Sequence, residues 1–113
     1  MVDQPKPVLS LEFNELSPTL MKRFIDTGRL PNFDRLRRES LTFITEAGEK
    51  GEQLDPWVQW VTVHTGATAD EHGVGQLGEA ARLQVPTVAD IVSEGGRSVW
   101  LCGSMNVNPV RPV

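Results

Sequence analysis

The chain has 113 residues, which is enough for one modest domain with a hydrophobic core. Its formal net charge of −4 argues against a nucleic-acid surface, because phosphate binding requires clustered lysine and arginine. With 39% hydrophobic and 23% charged residues, the composition is that of an ordinary globular protein.

The cysteine content and the N-terminal sequence favour a cytoplasmic protein. The one cysteine, Cys102, excludes a disulfide framework within the chain, and we expect it to be a buried structural thiol because it has no identifiable activating partner. The first 13 residues contain no apolar run of the kind found in secretory signals. No segment approaches the ~20 apolar residues of a transmembrane helix, so we expect no membrane contact.

Three segments have the pattern of β-strands, after a polar and proline-containing stretch at residues 1–7 that we expect to be a flexible lead-in. Residues 8–13 (VLSLEF) alternate apolar and polar side chains, which is typical of a strand. Residues 41–45 (LTFIT) and 98–102 (SVWLC) are rich in β-branched and aromatic residues, so they are predicted as the second and third strands.

Helix signals separate these segments. Ser17 is a predicted N-cap ahead of Pro18, and Gly28 is the predicted stop of this first helix. A second helix is predicted over residues 33–38 with Asn32 as its cap, and a third follows Thr87 and extends through residue 94. Residues 46–55 and 66–84 are predicted mainly as loops.

The alternation of strands and helices predicts an α/β fold with three layers and a mostly parallel sheet, with residues 8–113 as an incomplete part of a single domain. Residues 57–65 (WVQWVTVHT) are ambiguous. Their local propensity favours a strand, whereas Trp57, Trp60, Val61 and His64 share one helical face. We expect the tryptophans to pack in the core or in the wall of a cleft.

Polar side chains at the end of the first predicted strand form the first candidate site. Glu12 and Asn14 follow that strand, and open α/β sheets bind ligands at the carboxyl ends of their strands. A carboxylate there is either a ligand for a hard metal ion or a solvated strand end. The two histidines, His64 and His72, are eight residues apart and match no zinc pattern, so each is either functional or hydrogen-bonded within a loop.

Residues 73–78 (GVGQLG) formally match the dinucleotide-binding pattern G-x-G-x-x-G. That motif indicates a dinucleotide site only where it directly follows an apolar strand and precedes a helix. Here Asp70, Glu71 and His72 precede it, and no strand with a terminal acid follows at the required distance. The sequence context therefore disfavours a dinucleotide site.

Four blocks in order resemble the start of the type I phosphodiesterase and nucleotide pyrophosphatase branch of the alkaline phosphatase superfamily. The first is the apolar strand that ends at Leu11-Glu12-Phe13, where family members have Asp-Gly. The second is Gly-x-Leu-Pro-Asn-x-x-x-Leu, here residues 28–36. The third is Thr-Gly followed by His-Gly-Val, at residues 65–66 and 72–74. The last is the helix and strand of residues 87–102. The local sequences resemble those of a divergent bacterial subgroup of this branch.

The resemblance implies the N-terminal part of an alkaline phosphatase-like fold and a site that holds two divalent metal ions (Zn, Mn or Mg). It also implies that residues 57–65 form a helix, because this segment in the family presents the nucleophile at a helix N-terminus. Glu12 takes the place of the first metal-binding Asp, and Asp55 is the second metal-ligand candidate. Gln59 stands where an amide contacts a phosphate oxygen, and Pro56 stands at the position of the nucleophile.

The function implied by the resemblance is that of a metal-dependent phosphoric- or sulfuric-ester hydrolase acting on a phosphorylated or sulfated small molecule. The family's remaining metal ligands lie beyond position 113, so this chain is expected to be a fragment that is inactive alone. The alternative is a catalytically silent binding protein of the same family, since proline has no hydroxyl with which to attack phosphorus. A third hypothesis is an unrelated small α/β binding module.

Overall fold

The computed structural model describes residues 6–107, and its regular structure is helical. The described residues form five α-helices: α1 (Pro18–Asp26), α2 (Pro31–Glu39), α3 (Pro56–Thr65), α4 (Ala69–His72) and α5 (Val88–Glu94). Short 3₁₀ helices lie at Gly51–Leu54 and Ala80–Arg82. No helix among the described residues combines the length and apolarity that crossing a membrane requires. The predicted flexible lead-in falls mainly outside residues 6–107.

The prediction of a three-layer α/β fold with a mostly parallel sheet is wrong, because residues 6–107 contain no β-strand. The three segments predicted as strands have no ladder partner there. Their large side chains are exposed: 94% for Val8, 84% for Ile44 and 84% for Trp100. Alternation and β-propensity describe how well a side chain fits an existing sheet, and they do not provide the neighbouring strand that a sheet requires.

The chain packs as two compact units, Met1–Thr42 and Phe43–Val113. In the first unit α1 packs against α2, Ile25 is buried, and the rings of Phe13 and Phe33 meet edge to face at 5.6 Å. The prediction of a single domain over residues 8–113 stays a prediction.

The predicted limits of α1 are confirmed. The Ser17 side chain accepts a hydrogen bond from the backbone N–H of Leu20 at 3.3 Å, and Pro18 occupies the first helical position. Gly28 has the left-handed φ of 72° that ends the helix. Helix α2 begins two residues earlier than predicted, at Pro31, so that Leu30 rather than Asn32 is its N-cap.

The second unit is built around α3. Val58 and Val61 lie three residues apart on one face of this helix, and each is only 1% exposed. Helix α3 packs against α4, α5 and the 3₁₀ helix at Gly51–Leu54. The helical prediction drawn from the resemblance is confirmed over the local strand propensity, because burial of one helical face outweighs weak intrinsic preferences.

Two capping interactions fix the helices that follow. In α4, which lies in a segment predicted mainly as loop, the Glu71 carboxylate accepts hydrogen bonds from the backbone N–H and the hydroxyl of Thr68, both at 2.8 Å. In α5, Thr87 is the N-cap as predicted, and its hydroxyl oxygen accepts from the Asp90 N–H at 3.2 Å. The Asp90 carboxylate in turn accepts from the Thr87 N–H at 2.8 Å.

We predict that Thr87→Ala lowers the free energy of unfolding by about 1–2 kcal/mol, because Thr87 is buried and its N-cap contact with Asp90 is lost. Glu94→Ala, at the exposed end of the same helix, is the matched control and is expected to change stability by less than about 0.5 kcal/mol. Urea unfolding followed by circular dichroism measures both. Equal effects of the two substitutions would show that the cap does not hold α5.

Candidate functional site

The start of α3 carries two of the residues that the resemblance singles out. Asp55 is the N-cap, is half-buried, and makes no capping hydrogen bond with its side chain. Its backbone carbonyl accepts from the N–H groups of Val58 at 2.9 Å and Gln59 at 3.0 Å. Pro56 occupies the first helical position. A carboxylate therefore stands at the positive end of the helix, while the residue after it offers no nucleophilic atom.

Gln59 lies one turn further along α3, and its side chain is engaged within the protein. Its amide nitrogen donates to the backbone carbonyl of Gln53 at 2.7 Å and to the Glu49 carboxylate at 3.2 Å. An amide nitrogen has two hydrogens to donate, and these two contacts use both. A phosphate contact through this nitrogen requires the side chain to leave Glu49 or Gln53.

The two candidate metal ligands belong to different units: Glu12 is exposed in the first and Asp55 caps α3 in the second. Across residues 6–107, no three His, Cys, Asp or Glu side chains lie close enough together to hold a metal ion. Divalent metals in proteins take three or more protein ligands in most stable sites. The described residues on their own do not fit such a centre.

An open cleft of about 400 Å³ lies beside α3. Its walls come from the 3₁₀ helix before α3, from α3 and α4, and from the turn that follows α4: Glu52, Gln53, Val58, Ala69, Asp70, Gly73, Val74, Gly75 and Gln76. The Gln53 amide donates to the Asp70 carboxylate at 3.2 Å. The charged groups of the lining are the carboxylates of Glu52 and Asp70, so a bare anion is disfavoured in this cleft and a cation or neutral polar group is favoured.

The N–H groups of the three glycines of this pattern, and those of Val74 and Gln76, donate to acceptors within the protein. The Glu79 carboxylate accepts from the N–H groups of Gly75 and Gln76, each at 3.0 Å, and these bonds, with Gly75 the largest cause, lower the pKa of Glu79. The Gly78 N–H donates to the Asn106 side chain at 2.8 Å. A dinucleotide loop would offer these groups to a pyrophosphate. The interpretation of G-x-G-x-x-G as a chance match agrees with this geometry.

A buried chain of hydrogen bonds runs through His72, which has no exposed surface. The Val74 N–H donates to His72 Nδ1 at 3.1 Å, so the neutral ring carries its proton on Nε2. Nε2 lies 3.2 Å from the Thr62 hydroxyl, which donates to the Glu49 carboxylate at 3.3 Å. We call Glu49, Thr62, His72 and Val74 the histidine chain.

Electrostatics within the histidine chain favour a neutral ring and an ionised carboxylate. Burial lowers the pKa of His72 from its ordinary 6.5, against the opposing effect of the Glu49 charge. The hydrogen bond from Gln59 is the largest cause that lowers the pKa of Glu49 from 4.5, and bonds from the Ala69 N–H and Thr62 act in the same direction. The sequence marked His72 through the His-Gly-Val block. Glu49 was missed, since it lies in a charged segment with no distinguishing pattern.

Asn106 is a second residue that sequence reasoning missed. Its side chain accepts from the Gly78 N–H at 2.8 Å and donates to the carbonyls of Trp57 at 2.9 Å and Gln76 at 3.0 Å. It adopts φ 47°, a left-handed conformation that asparagine tolerates better than most residues. Asn106 therefore joins the first turn of α3 to the turn after α4.

Two predictions about individual side chains are wrong. Cys102 is exposed rather than buried. Trp100, expected in the core or a cleft wall, is 84% exposed, whereas Trp57 and Trp60 are partly buried on α3. Both errors follow from the missing sheet, because residues 98–102 were expected to be its third strand. Trp60 stacks on His64 with ring centroids 5.9 Å apart.

We predict that Asn106→Ala lowers the free energy of unfolding by about 1–3 kcal/mol, because it leaves the partners of a buried side chain without hydrogen bonds. Asn32→Ala, at an exposed position of α2, is the control and is expected to have an effect below about 0.5 kcal/mol. Denaturant unfolding followed by tryptophan fluorescence measures both. A loss for Asn106→Ala no greater than that of the control would contradict the proposed joining role.

Comparisons with protein-family models, curated proteins and solved structures found no match to this chain. The resemblance to the phosphodiesterase branch therefore rests on the sequence blocks and stays a prediction.

Proposed function

We propose that this chain contributes the α3 region of a metal-dependent phosphoric- or sulfuric-ester hydrolase of the phosphodiesterase kind, and that it is inactive as this chain alone. The observation that carries the proposal is the conformation of α3. A helix begins at Asp55-Pro56 and ends at Gly66 with a left-handed φ of 69°, in a segment whose local propensity favours a strand. The resemblance predicted this helix, and the residues themselves did not.

The turn after α4 adds support. The His-Gly-Val block is not a surface loop, because His72 and Val74 are both buried and hydrogen-bonded to each other. Gly73 has a φ of 73°, which accounts for glycine at that position of the block. Three consecutive features of the resemblance, namely Asp55-Pro56, Thr65-Gly66 and His72-Gly73-Val74, thus belong to one packed unit.

The proposal requires ligands that the described residues do not bring together. Glu12 and Asp55 are two carboxylates, and a two-metal site needs further Asp and His ligands. These would come from polypeptide other than residues 6–107. A phosphorylated or sulfated small molecule in the cytoplasm is the proposed substrate, and the divalent ions are proposed to be Zn, Mn or Mg.

The second candidate is a catalytically silent binding protein of the same kind. Pro56 favours it, since no hydroxyl or thiol stands at the first position of α3. The Gln59 side chain also favours it, because its donor is held by Glu49 and Gln53 instead of facing outward. In this case the α3 region binds a ligand or a partner protein without cleaving it.

The two candidates predict different behaviour of the full-length gene product. The hydrolase proposal predicts hydrolysis of an aryl phosphodiester, phosphomonoester or sulfate ester with Mn or Zn. Asp55→Ala and Glu12→Ala should each lower kcat/KM by at least about 100-fold, because each removes a first ligand of the metal. Glu94→Ala, which removes an exposed carboxylate far from α3 in sequence, should leave the rate unchanged. Hydrolysis that both ligand variants retain would contradict the hydrolase proposal.

Absence of hydrolysis with every metal would favour the silent protein, and Pro56→Thr then supplies a further test. Restoring a hydroxyl at the first position of α3 should create measurable hydrolysis if the rest of the site is intact. Pro56→Ala is the matched control, since it removes the ring without adding a nucleophile. No activity in either variant, with binding of inorganic phosphate or sulfate retained, would establish the binding function.

We also predict that this 113-residue chain by itself binds Zn or Mn with no affinity tighter than about 0.1 mM. No three His, Cys, Asp or Glu side chains come together among residues 6–107, and fewer than three protein ligands do not form a site of high affinity. Isothermal titration calorimetry with the metal chloride measures this directly. Tight binding that Asp55→Ala abolishes would show that the chain carries a metal centre of its own.

A further inference from the structure

The histidine chain contains a buried titratable group that the proposed function does not use. His72 has no exposed surface, yet both of its ring nitrogens have partners on different segments. Nδ1 accepts from Val74 in the turn after α4, and Nε2 faces Thr62 on α3. The ring therefore ties the turn that lines the cleft to the central helix of the second unit.

Protonation of this ring is incompatible with the observed contact at Nδ1. In the imidazolium both nitrogens are donors, so Nδ1–H would face the Val74 N–H and the hydrogen bond between them would be lost. The ring is also shielded from water, which could otherwise solvate the charge. The contact at Nε2 survives, because Nε2 carries a hydrogen in both forms.

The charged groups around His72 influence the pH range over which its ring becomes protonated. From the segment before α3, Glu49 faces it through Thr62 and opposes the effect of burial. On α4 itself, the carboxylates of Asp70 and Glu71 are bound to Gln53 and Thr68. The Gln84 backbone N–H, which donates to the His72 carbonyl at 3.4 Å, carries no charge.

We infer that the histidine chain is an acid-sensitive latch, in which protonation of His72 releases the backbone of Val74 in the turn after α4 and opens the cleft beside it, while Asn106 keeps Gln76 joined to α3. Val74 is only 1% exposed in the latched state, and Gly73, Val74, Gly75 and Gln76 all line the cleft. Release of the turn would therefore expose Val74 and change the shape of the cleft. The α5 cap is made between Thr87 and Asp90 and includes no residue of the histidine chain.

The direction of the pH effect follows from the two groups. The folded pKa of His72 is below 6.5, so the stability from the neutral ring is complete above about pH 6.5 and is lost as the pH falls through the folded value. The folded pKa of Glu49 is below 4.5, so its contribution is complete above about pH 4.5 and is lost only below that pH. A change in stability between pH 6.5 and pH 4.5 therefore reports on His72.

Nuclear magnetic resonance of the whole chain between pH 7.5 and 4.5 tests the latch. The chain has two histidines, so His64→Gln leaves a single imidazole signal, that of His72, without altering the latch residues. We expect this signal to titrate below 6.5. The protection of the Val74 amide against hydrogen exchange should fall by up to about tenfold per pH unit below 6.5, while the Ile91 amide of α5 stays protected.

The substitution Glu49→Gln provides a second test of the latch in the same experiment. Removing the negative charge should lower the pKa of His72 further, so that release of Val74 moves to more acid pH. Titration of His72 at or above 6.5 would overturn the inference. Unchanged protection of Val74 while His72 becomes protonated would overturn it equally, as would loss of protection at Val74 and Ile91 together, because that would be global unfolding rather than release of one turn.

Discussion

The packing around the cleft in the second unit depends on the histidine chain. It joins the stretch before the 3₁₀ helix through Glu49, α3 through Thr62, α4 through His72, and the turn that follows α4 through Val74. A buried ring nitrogen that loses its hydrogen-bond partner costs free energy, so these contacts favour the observed relative positions of the segments. The Glu49 carboxylate extends this constraint, since it also accepts from the Gln59 amide and from the Ala69 N–H that begins α4.

The same set of hydrogen bonds determines how the side chains at the start of α3 are arranged. The Gln59 amide donates hydrogen bonds to Glu49 and Gln53, which precede α3 in the sequence. The Asn106 amide, which follows α3 in the sequence, donates to the carbonyl of Trp57. The first turn of α3 is thereby fixed, and the side chain of its N-cap, Asp55, makes no capping hydrogen bond. This geometry suits a ligand-binding carboxylate at Asp55. Pro56, which follows it, has no hydroxyl and so cannot act as the nucleophile. The proposed hydrolase and the proposed silent protein share this arrangement and differ in what surrounds it.

Local signals in the sequence predicted the ends of α1 and the start of α5. Ser17 with Pro18 and Thr87 with Asp90 are capping patterns whose effect is confined to a few residues, and the structure confirms the caps at Ser17 and Thr87. The fold class was not predictable in the same way, because a strand depends on pairing between distant segments. Residues 8–13, 41–45 and 98–102 have the composition of strands and no sheet in residues 6–107.

The candidate site shows the same division. Asp55, Pro56 and Gln59 were found because they stand at defined positions of sequence blocks. Glu49, Thr62 and Asn106 were missed because their importance lies in contacts across 10 to 49 residues of chain, which no local pattern records. Helix α3 itself was predicted only by the resemblance, since the burial of Val58 and Val61 that favours it is a tertiary effect.

The tautomer of His72 tests the central claim most directly. Long-range proton–nitrogen correlation spectroscopy at pH 7.5 distinguishes a ring protonated on Nε2 from one protonated on Nδ1. The hydrogen-bond chain requires a neutral ring with its proton on Nε2, exchanging slowly with water because the side chain is buried. A ring protonated on Nδ1, or one that averages rapidly between the two forms, would contradict the account.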